Sequence, residues 1–380
     1  MTLQIDADVP AGNVILERIE GDDVYFRPDL RDTEGHWFYW HFRLRGGAGR
    51  SLTFHITSRD TLTEMGPAVS YDAGRTWRWL GPSCVGENWT FRFDCPADAD
   101  DVLLSMGMTY THAHWRAFTD RFTGDPRLHI AELCRSRRGR IVEQAVIGDP
   151  DIEPAYRLLL TARHHCCEAM ASYALEGLLE AALSDDELGQ WFGRNVRILA
   201  IPLVDPDGVE AGDQGKNRRP RDHNRDYDAT PIYPETAAIR QLFPTWAQAG
   251  PTMAMDLHCP WIHSWWSQTI YTVGSSDPAV WEQQCRFSQL LESLRTGPLP
   301  YAASDNLPFG QRWNVASNSS QGLTCSRWAR ALPNMLLSTT LEVPYAIARQ
   351  QEVNQQTARA LGHDLARAIR AYLSQTTPHA

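Results

Sequence analysis

The sequence predicts an all-β antiparallel sandwich over residues 1–125 and, over residues 126–380, a sheet flanked by helices. Three observations carry that prediction. Up to about residue 125, aromatic and aliphatic side chains alternate with polar ones in short runs. Gly, Asp and Pro punctuate those runs at the short intervals that a two-sheet sandwich requires. Beyond residue 126 the rhythm changes to apolar strands separated by longer amphipathic helices, the order that builds a sheet covered on its faces.

In the first half the strands are NVILERIEG, DVYFRPD, WFYWHFRLRG, SLTFHITS, AVSYD, TWRWLG, NWTFRFD and DVLLSMGMTY. Their abundant Trp, Tyr and Phe are read as core, with an aromatic ligand-binding face as the alternative. In the second half LLL ends a strand and EAMASYALEGLLEAAL begins a helix. VRILAIPLVDPDG is a buried strand leaving into a turn, ETAAIRQLFPTW a helix and TMAMDLHCP another strand. PAVWEQQCRFSQLLESL is helical, MLLSTTLEVPY is a strand, and NQQTARALGHDLARAIRAYL is a closing helix. No internal repeat or low-complexity segment interrupts this order.

With 380 residues the chain has ample volume for a core, and its 43% apolar and 22% charged residues exclude wholesale disorder and a fibrous architecture. A formal net charge of −10 argues against a nucleic-acid partner, because displacing counterions from phosphates needs a basic surface. The start, MTLQIDADVPAG, has neither a positive n-region nor an apolar h-region, and no run is long enough to span a bilayer. A cytoplasmic protein without a membrane partner is the expectation. The eight cysteines, at 84, 95, 134, 166, 167, 259, 285 and 325, form no C-x-x-C pair and are expected to be mostly reduced and buried.

Chemistry concentrates where the first strand of the second half ends, in ARHHCCE. His165 and Glu168 are spaced H-x-x-E, which puts both on one face of an incipient helical turn, so that they can converge on one ion. A catalytic zinc takes three protein ligands and leaves a position for water, so one more is needed. His258, at the end of the strand in MAMDLHCP, is the best-placed candidate, with Asp256 two residues earlier on the same strand face. Cys166 and Cys167 are adjacent, point in divergent directions and are read as packing residues; His164 is read as a neighbour lining the pocket.

Two further features accompany this cluster. The segment 201–228 leaves a strand through the turn DPDG and carries Lys216, Arg218, Arg219, Arg221 and Arg225 beside Asn224. Such a loop is either a solvated basic surface or a recogniser of carboxylates through paired hydrogen bonds. Glu342 ends a strongly apolar strand, where a carboxylate is costly unless paired or used. It is either a salt-bridge partner for one of those arginines or a general base.

Five motifs, HHCCE, DPDG, DHNRDY, DLH and TLE, follow one another in the order of the zinc metallocarboxypeptidases, and the chain resembles that family. The resemblance is strongest to the cytosolic carboxypeptidase-like branch, whose members carry a β-sandwich ahead of the catalytic domain. WFYWHFRLRG and YDAGRTWRWLG look like that sandwich, and LCRSRRGRIVEQAVIG like the entry strand pair. The resemblance implies a phosphorylase/hydrolase-like α/β/α sandwich with a mixed sheet. It further implies one Zn2+ held by His165, Glu168 and His258, and an activity that hydrolyses the C-terminal amide bond of a peptide or amino-acid conjugate. Asn224 and Arg225 would clamp the free C-terminal carboxylate, Glu342 would act as general base towards a zinc-activated water, and Asp222 would orient His165.

The sequence departs from the family where an oxyanion-stabilising arginine is expected: that place falls at Gly215, so Lys216 or Arg218 is expected to substitute. NSSQGLTCSRWARALPN offers no tyrosine where better-known members place one, and Arg327 is expected to contact substrate instead. Two other functions compete. An N-acyl amino acid deacylase of the desuccinylase or aspartoacylase type would share the metal ligands but typically lacks a long sandwich. A non-catalytic peptide-binding protein would have no use for Glu342.

Overall fold

The computed structural model describes residues 2–319 and 321–376. Residues 4–105 form two sheets packed face to face. One has the strand order Gln4–Asp6, His41–Arg45, Asp101–Ser105, Ala68–Ser70, Arg78–Trp79, and the other Ile15–Glu20, Asp23–Arg27, Ser51–Ile56, Thr90–Asp94. Alternation places Phe26, Phe42, Phe54 and Phe91 between the sheets together with Trp40. Phe54 and Phe91 stack with centroids 4.7 Å apart, and Phe26 meets Trp40 edge-on at 5.0 Å. The aromatic richness of this half is therefore core. One pair departs from the antiparallel expectation: Asp23–Arg27 runs parallel to Ser51–Ile56. Between these two strands the chain crosses to the other sheet to form His41–Arg45, and so it re-enters in the same direction.

Inside the stretch expected to be all-β, His112–Asp120 is a helix, opened by reciprocal capping between Thr111 and His114. A seven-stranded mixed sheet follows, in the order Leu128–Arg135, Ile141–Ile147, Val196–Ile201, Tyr156–Ala162, Thr252–His258, Met335–Glu342, Tyr271–Thr272. Its centre is parallel: Tyr156–Ala162 pairs with Val196–Ile201 and with Thr252–His258, which in turn pairs with Met335–Glu342. The two strands from the LCRSRRGRIVEQAVIG segment form an antiparallel hairpin at one edge.

These central strands are mostly apolar because both faces are covered, with polar residues gathered mainly towards their ends. Leu158, Leu160, Met253, Met255 and Leu341 join the larger core, which also takes in the sandwich aromatics. Leu159, Leu199 and Ala254, one residue out of phase, join a smaller core with Ile239 and Phe243 of the helix Pro234–Gln248. On the larger-core side, helix Ala169–Leu183 packs against Gln355–Gln375 so closely that a Cβ at Gly177 would stand 2.0 Å from the Arg359 carbonyl oxygen. Only glycine permits that crossing. All eight cysteines are free thiols, five of them buried. Among the described residues no helix is long and apolar enough to cross a membrane.

The sandwich grips the segment between Pro206 and Asp222. Asn13 Nδ2 donates to the Gly212 carbonyl at 2.7 Å, and Gln214 exchanges two hydrogen bonds with the Tyr39 backbone, at 2.9 and 2.7 Å. Thr33 and Arg218 form a β-bridge. At that bridge the Arg218 guanidinium meets three carboxylates: Asp32 at 2.8 Å, Asp205 at 2.5 Å and Asp213 at 2.6 Å. Burial alone would raise the Asp205 carboxyl, but His223 and Arg218 outweigh it and bring it down to about 2.

Removing one member of such a buried cluster leaves charges uncompensated, so Arg218→Ala is expected to lower stability by about 3–5 kcal/mol, measured by denaturant titration. Because the folded pKa of Asp205 lies below its unfolded value, its contribution is fully present above about pH 4 and is lost as pH falls towards 2. That contribution is about 2 kcal/mol. An acid titration of unfolding should therefore be less steep below pH 4 in Asp205→Asn than in the parent chain.

Candidate active site

The turn that follows Tyr156–Ala162 fixes the site. Arg163 is buried, yet its backbone is left-handed at φ 66°, a conformation a bulky side chain adopts only when its surroundings hold it there. Its guanidinium donates to the Cys166 carbonyl at 3.0 Å, the Tyr110 carbonyl at 2.9 Å and Ser172 Oγ at 3.1 Å, wrapping the turn from inside. The reversal sends adjacent histidines to opposite sides. His165 faces a cavity, whereas His164, expected to line the pocket, is fully buried beside Tyr227 and Asp256.

Glu168 lies three residues on, completely buried, with its backbone N–H on the His165 carbonyl. Its carboxylate is shared: Oε1 is 3.0 Å from His165 Nδ1 and Oε2 is 2.7 Å from His258 Nδ1. Each imidazole is backed by a second acid. His165 Nε2 donates to Asp222 at 3.0 Å and His258 Nε2 to Asp256 at 2.8 Å. Both Nδ1 atoms therefore face Glu168: protonated, they donate to its carboxylate, and on losing that proton they would offer lone pairs to an ion at the same place. Glu342 pairs in register with His258 on the neighbouring strand and opens onto the same cavity, and its Oε2 is buried without a hydrogen-bond partner. Residues distant in sequence, at 165, 168, 258 and 342, are brought together.

This donor set fits a metal ion. One ligand atom from each of His165, Glu168 and His258 lies within 4.8 Å of the others, and two imidazoles with one carboxylate are the donors of an open catalytic zinc site. Charge points the same way: Glu168 and Glu342 act on one buried ammonium, Lys216, while Asp222 and Asp256 add two further carboxylates behind the imidazoles. Burial alone would lower both imidazoles, but Asp222 and Glu168 raise His165, and Asp256 and Glu168 raise His258 well above its ordinary value. Protons held there are what a divalent cation would replace.

Two other groups of potential donors exist among the described residues, His164/Asp256/Cys325 and Asp205/His223/Glu235. Neither opens on the cavity. Asp256 is already engaged by His258, and in the second group the Arg218 cation stands 2.5 Å from Asp205 while His223 lies between the two acids.

The remaining sequence candidates divide. Lys216 Nζ lies 2.5 Å from Glu168 Oε1 and donates to the Cys259 carbonyl at 2.8 Å, within the cluster. Gly215 has φ 78°, and a Cβ there would stand 2.5 Å from the Cys166 nitrogen and 2.9 Å from the His165 Cα. No arginine fits at 215, because its backbone packs directly on the ligand turn. Arg218 does not line the cavity; its guanidinium is engaged in the three-carboxylate cluster at the sandwich, so the expectation of a catalytic Arg218 is not met by its position.

Arg225 and Asn224 both line the cavity. Arg225 donates from Nη1 to the Asn224 carbonyl at 2.8 Å, and its Nε is buried without a partner. The Asn224 amide faces inward: Oδ1 accepts from Cys325 N at 2.8 Å, and Nδ2 donates to Asp256 at 3.3 Å. Arg327 stands on the cavity wall with Arg330, whose Nη1 donates to Ser275 Oγ at 3.0 Å. Phe309 and Trp313 complete the wall from a loop that shows no chemical motif in the sequence. Burial raises the Glu342 carboxyl and nearby Glu168 adds to the rise, against the lowering effect of His258 and Lys216.

A zinc carboxypeptidase family model matches residues 116–279. The chain is 25% identical over 297 residues to cytosolic carboxypeptidase 6 of Caenorhabditis elegans, covering 70% of this chain and 63% of that protein. To cytosolic carboxypeptidase 2 of Danio rerio it is 30% identical over 234 residues, covering 53% of this chain and 32% of the relative. The chain thus spans less than two thirds of the length of these curated relatives. In fold it is similar to a metallo-carboxypeptidase from Burkholderia cenocepacia, with a TM-score of 0.80 at 19% identity over 98% of this chain and 99% of the other. Residues 116–279 thus match a zinc carboxypeptidase model, and the chain has the metallocarboxypeptidase fold.

Proposed function

We propose that the protein is a zinc-dependent metallocarboxypeptidase that hydrolyses the C-terminal amide bond of a peptide or amino-acid conjugate. The observation that carries this reading is the convergence of His165, His258 and Glu342 on one cavity that also presents Arg225, with Glu168 bridging the two histidines from behind. His165, Glu168 and His258 would hold the ion, which when bound supplies Lewis acidity to the scissile carbonyl and the attacking water.

The chain's own residues do the rest. Asp222 and Asp256 hold the Nε2 protons of the two histidines and keep the ligand atoms aimed. Glu342 takes the water proton on its unpartnered Oε2 and delivers it to the leaving amine nitrogen. Its burial suits that exchange, since a carboxyl raised towards neutrality can both accept and return a proton.

Lys216, whose Nζ sits on Glu168 Oε1 just behind the cavity wall, is the cation beside the donor cluster that would stabilise negative charge developing on the carbonyl oxygen. Arg225, with its unpaired Nε, receives the substrate's terminal carboxylate, and Asn224 supports it from beneath while bracing Asp256. Arg327 and Arg330 favour an acidic terminal side chain. The division of the chain near residue 125 assigns catalysis to the second part and bracing of the 206–222 segment to the first. The kinship with proteins named cytosolic carboxypeptidases supports a cytoplasmic setting.

Glu342→Gln should retain about the parent's zinc content while losing about 10²–10⁴-fold in kcat, followed by mass-detected release of the terminal amino acid from a panel of C-terminally varied peptides. Full activity in that variant would exclude the mechanism. Lys216→Met should cost about 10²–10³ in kcat with little change in KM, as expected for a group acting mainly in the transition state. Loss confined to KM would assign Lys216 to binding instead.

A further inference from the structure

We infer that His164 is a positioning residue for the metal site, acting through Asp256 on the ligand His258; the inference rests on the metallopeptidase reading above. Its surroundings are unusual for a buried histidine. His164 is fully buried and turned away from the cavity, so it neither ligates the candidate ion nor touches a substrate. A buried imidazole costs more than an aliphatic side chain of similar size unless its polar atoms are used.

Both nitrogens of His164 have polar neighbours. Nε2 lies 2.7 Å from the Tyr227 hydroxyl, which is itself buried, and Nδ1 lies 2.9 Å from Asp256 Oδ1. With Tyr227 donating to Nε2, the remaining ring proton is on Nδ1 and faces the carboxylate. The Nδ1 contact is an electrostatic one rather than an aligned hydrogen bond, as Nδ1 makes no bond of good geometry. Asp256 is thereby flanked by two imidazoles whose planes are 18° apart and whose centroids are 5.8 Å apart. On its Oδ1 side are His164 and Thr161, the latter donating at 2.7 Å; on its Oδ2 side are His258 at 2.8 Å and Asn224 at 3.3 Å.

The physical consequence is orientation. Thr161 holds Oδ1 and Asn224 with His258 engages Oδ2, and the contact of His164 on Oδ1 adds a further restraint on rotation about the Cβ–Cγ bond, so that a fixed acceptor faces His258 Nε2–H. With that acceptor fixed, His258 Nδ1 is aimed at the point shared with His165 and Glu168. Tyr227 extends the chain one step further back, holding His164 as His164 holds Asp256. The adjacent histidines of the HHCCE motif therefore divide the work: His165 supplies a ligand atom directly, and His164 aims the ligand supplied by another strand.

The test uses the full chain with Zn2+ alone as the probe. Zinc affinity is measured by competition with a chromogenic chelator for the parent, His164→Leu, His164→Asn and Tyr227→Phe, and thermal unfolding of the metal-free proteins is recorded in parallel. Leucine fills the volume without polar atoms; asparagine restores a donor towards Asp256. The expected result is about a 10–100-fold weaker affinity in His164→Leu, a smaller loss in Tyr227→Phe, and recovery of part of the affinity in His164→Asn. The Co2+-loaded proteins should show a shifted visible absorption spectrum in His164→Leu, a signature that a purely space-filling role would leave in place.

Parent-like zinc affinity and cobalt spectrum in a folded His164→Leu chain overturn the inference. Should His164→Leu fail to fold, Tyr227→Phe decides by the same two readouts. Failure of the parent chain itself to bind zinc would instead overturn the metallopeptidase reading.

Discussion

The register of three parallel strands is the constraint on which the site depends. Thr161 pairs with Asp256, and His258 with Glu342, so that the strand ends deliver candidate ligand, supporting acid and proposed base to one level of the sheet. A slip of one residue would turn Asp256 and His258 onto the opposite face and put Leu257 at the cavity. The register is protected by burial on both faces: Met253, Met255 and Leu257 belong to one core while Ala254 belongs to the other. Site geometry and hydrophobic packing are thus fixed by the same alternation.

That alternation is also what made much of the fold legible in the sequence. Strands and helices of the second half announce themselves through apolar periodicity, and His165, Glu168, His258 and Glu342 stand out because polar residues at the ends of apolar strands require a reason. Other features depend on contacts that no local pattern encodes. The parallel pair in the sandwich follows from a chain crossing between sheets, and the helix His112–Asp120 is a short one whose buried face is little more than Trp115 and Phe118, opened by Thr111. Arg218 looked like a pocket cation in sequence because it lies between Lys216 and Asn224; its position is decided by Asp32, more than 180 residues away. The inward role of His164 was likewise hidden, since its partners Tyr227 and Asp256 lie on other elements.

The segment carrying Lys216, Asp222, Asn224 and Arg225 contains little regular structure, a short helix Pro206–Ala211 and a single 3-10 turn His223–Arg225. A loop of that length would sample many conformations, and ordering it costs roughly 1–2 kcal/mol of backbone entropy per residue. The contacts that offset this cost come largely from the sandwich: Asn13 on Gly212, Tyr39 on Gln214, Asp32 and Thr33 on Arg218, and Arg31 on Asp213 at 2.5 Å. The amino-terminal sheets therefore act as one wall of a mould whose other wall is the ligand turn.

Gly215 shows how tightly that mould closes. Its backbone lies against Cys166 and His165, so the residue that sets Lys216 beside Glu168 also presses on the turn that carries two of the candidate ligands. An arginine one position earlier would set a Cβ 2.5 Å from the Cys166 nitrogen, so the loop would have to withdraw from the turn. Moving the cation by one residue and closing the loop with glycine keeps both: a positive charge at the carboxylate of Glu168, and direct packing between the sandwich-braced segment and the ligand turn. The glycine at 215 and the extensive anchoring by the sandwich are then two sides of one structural solution, in which the cation proposed for the oxyanion is carried by a loop braced from outside the mixed sheet.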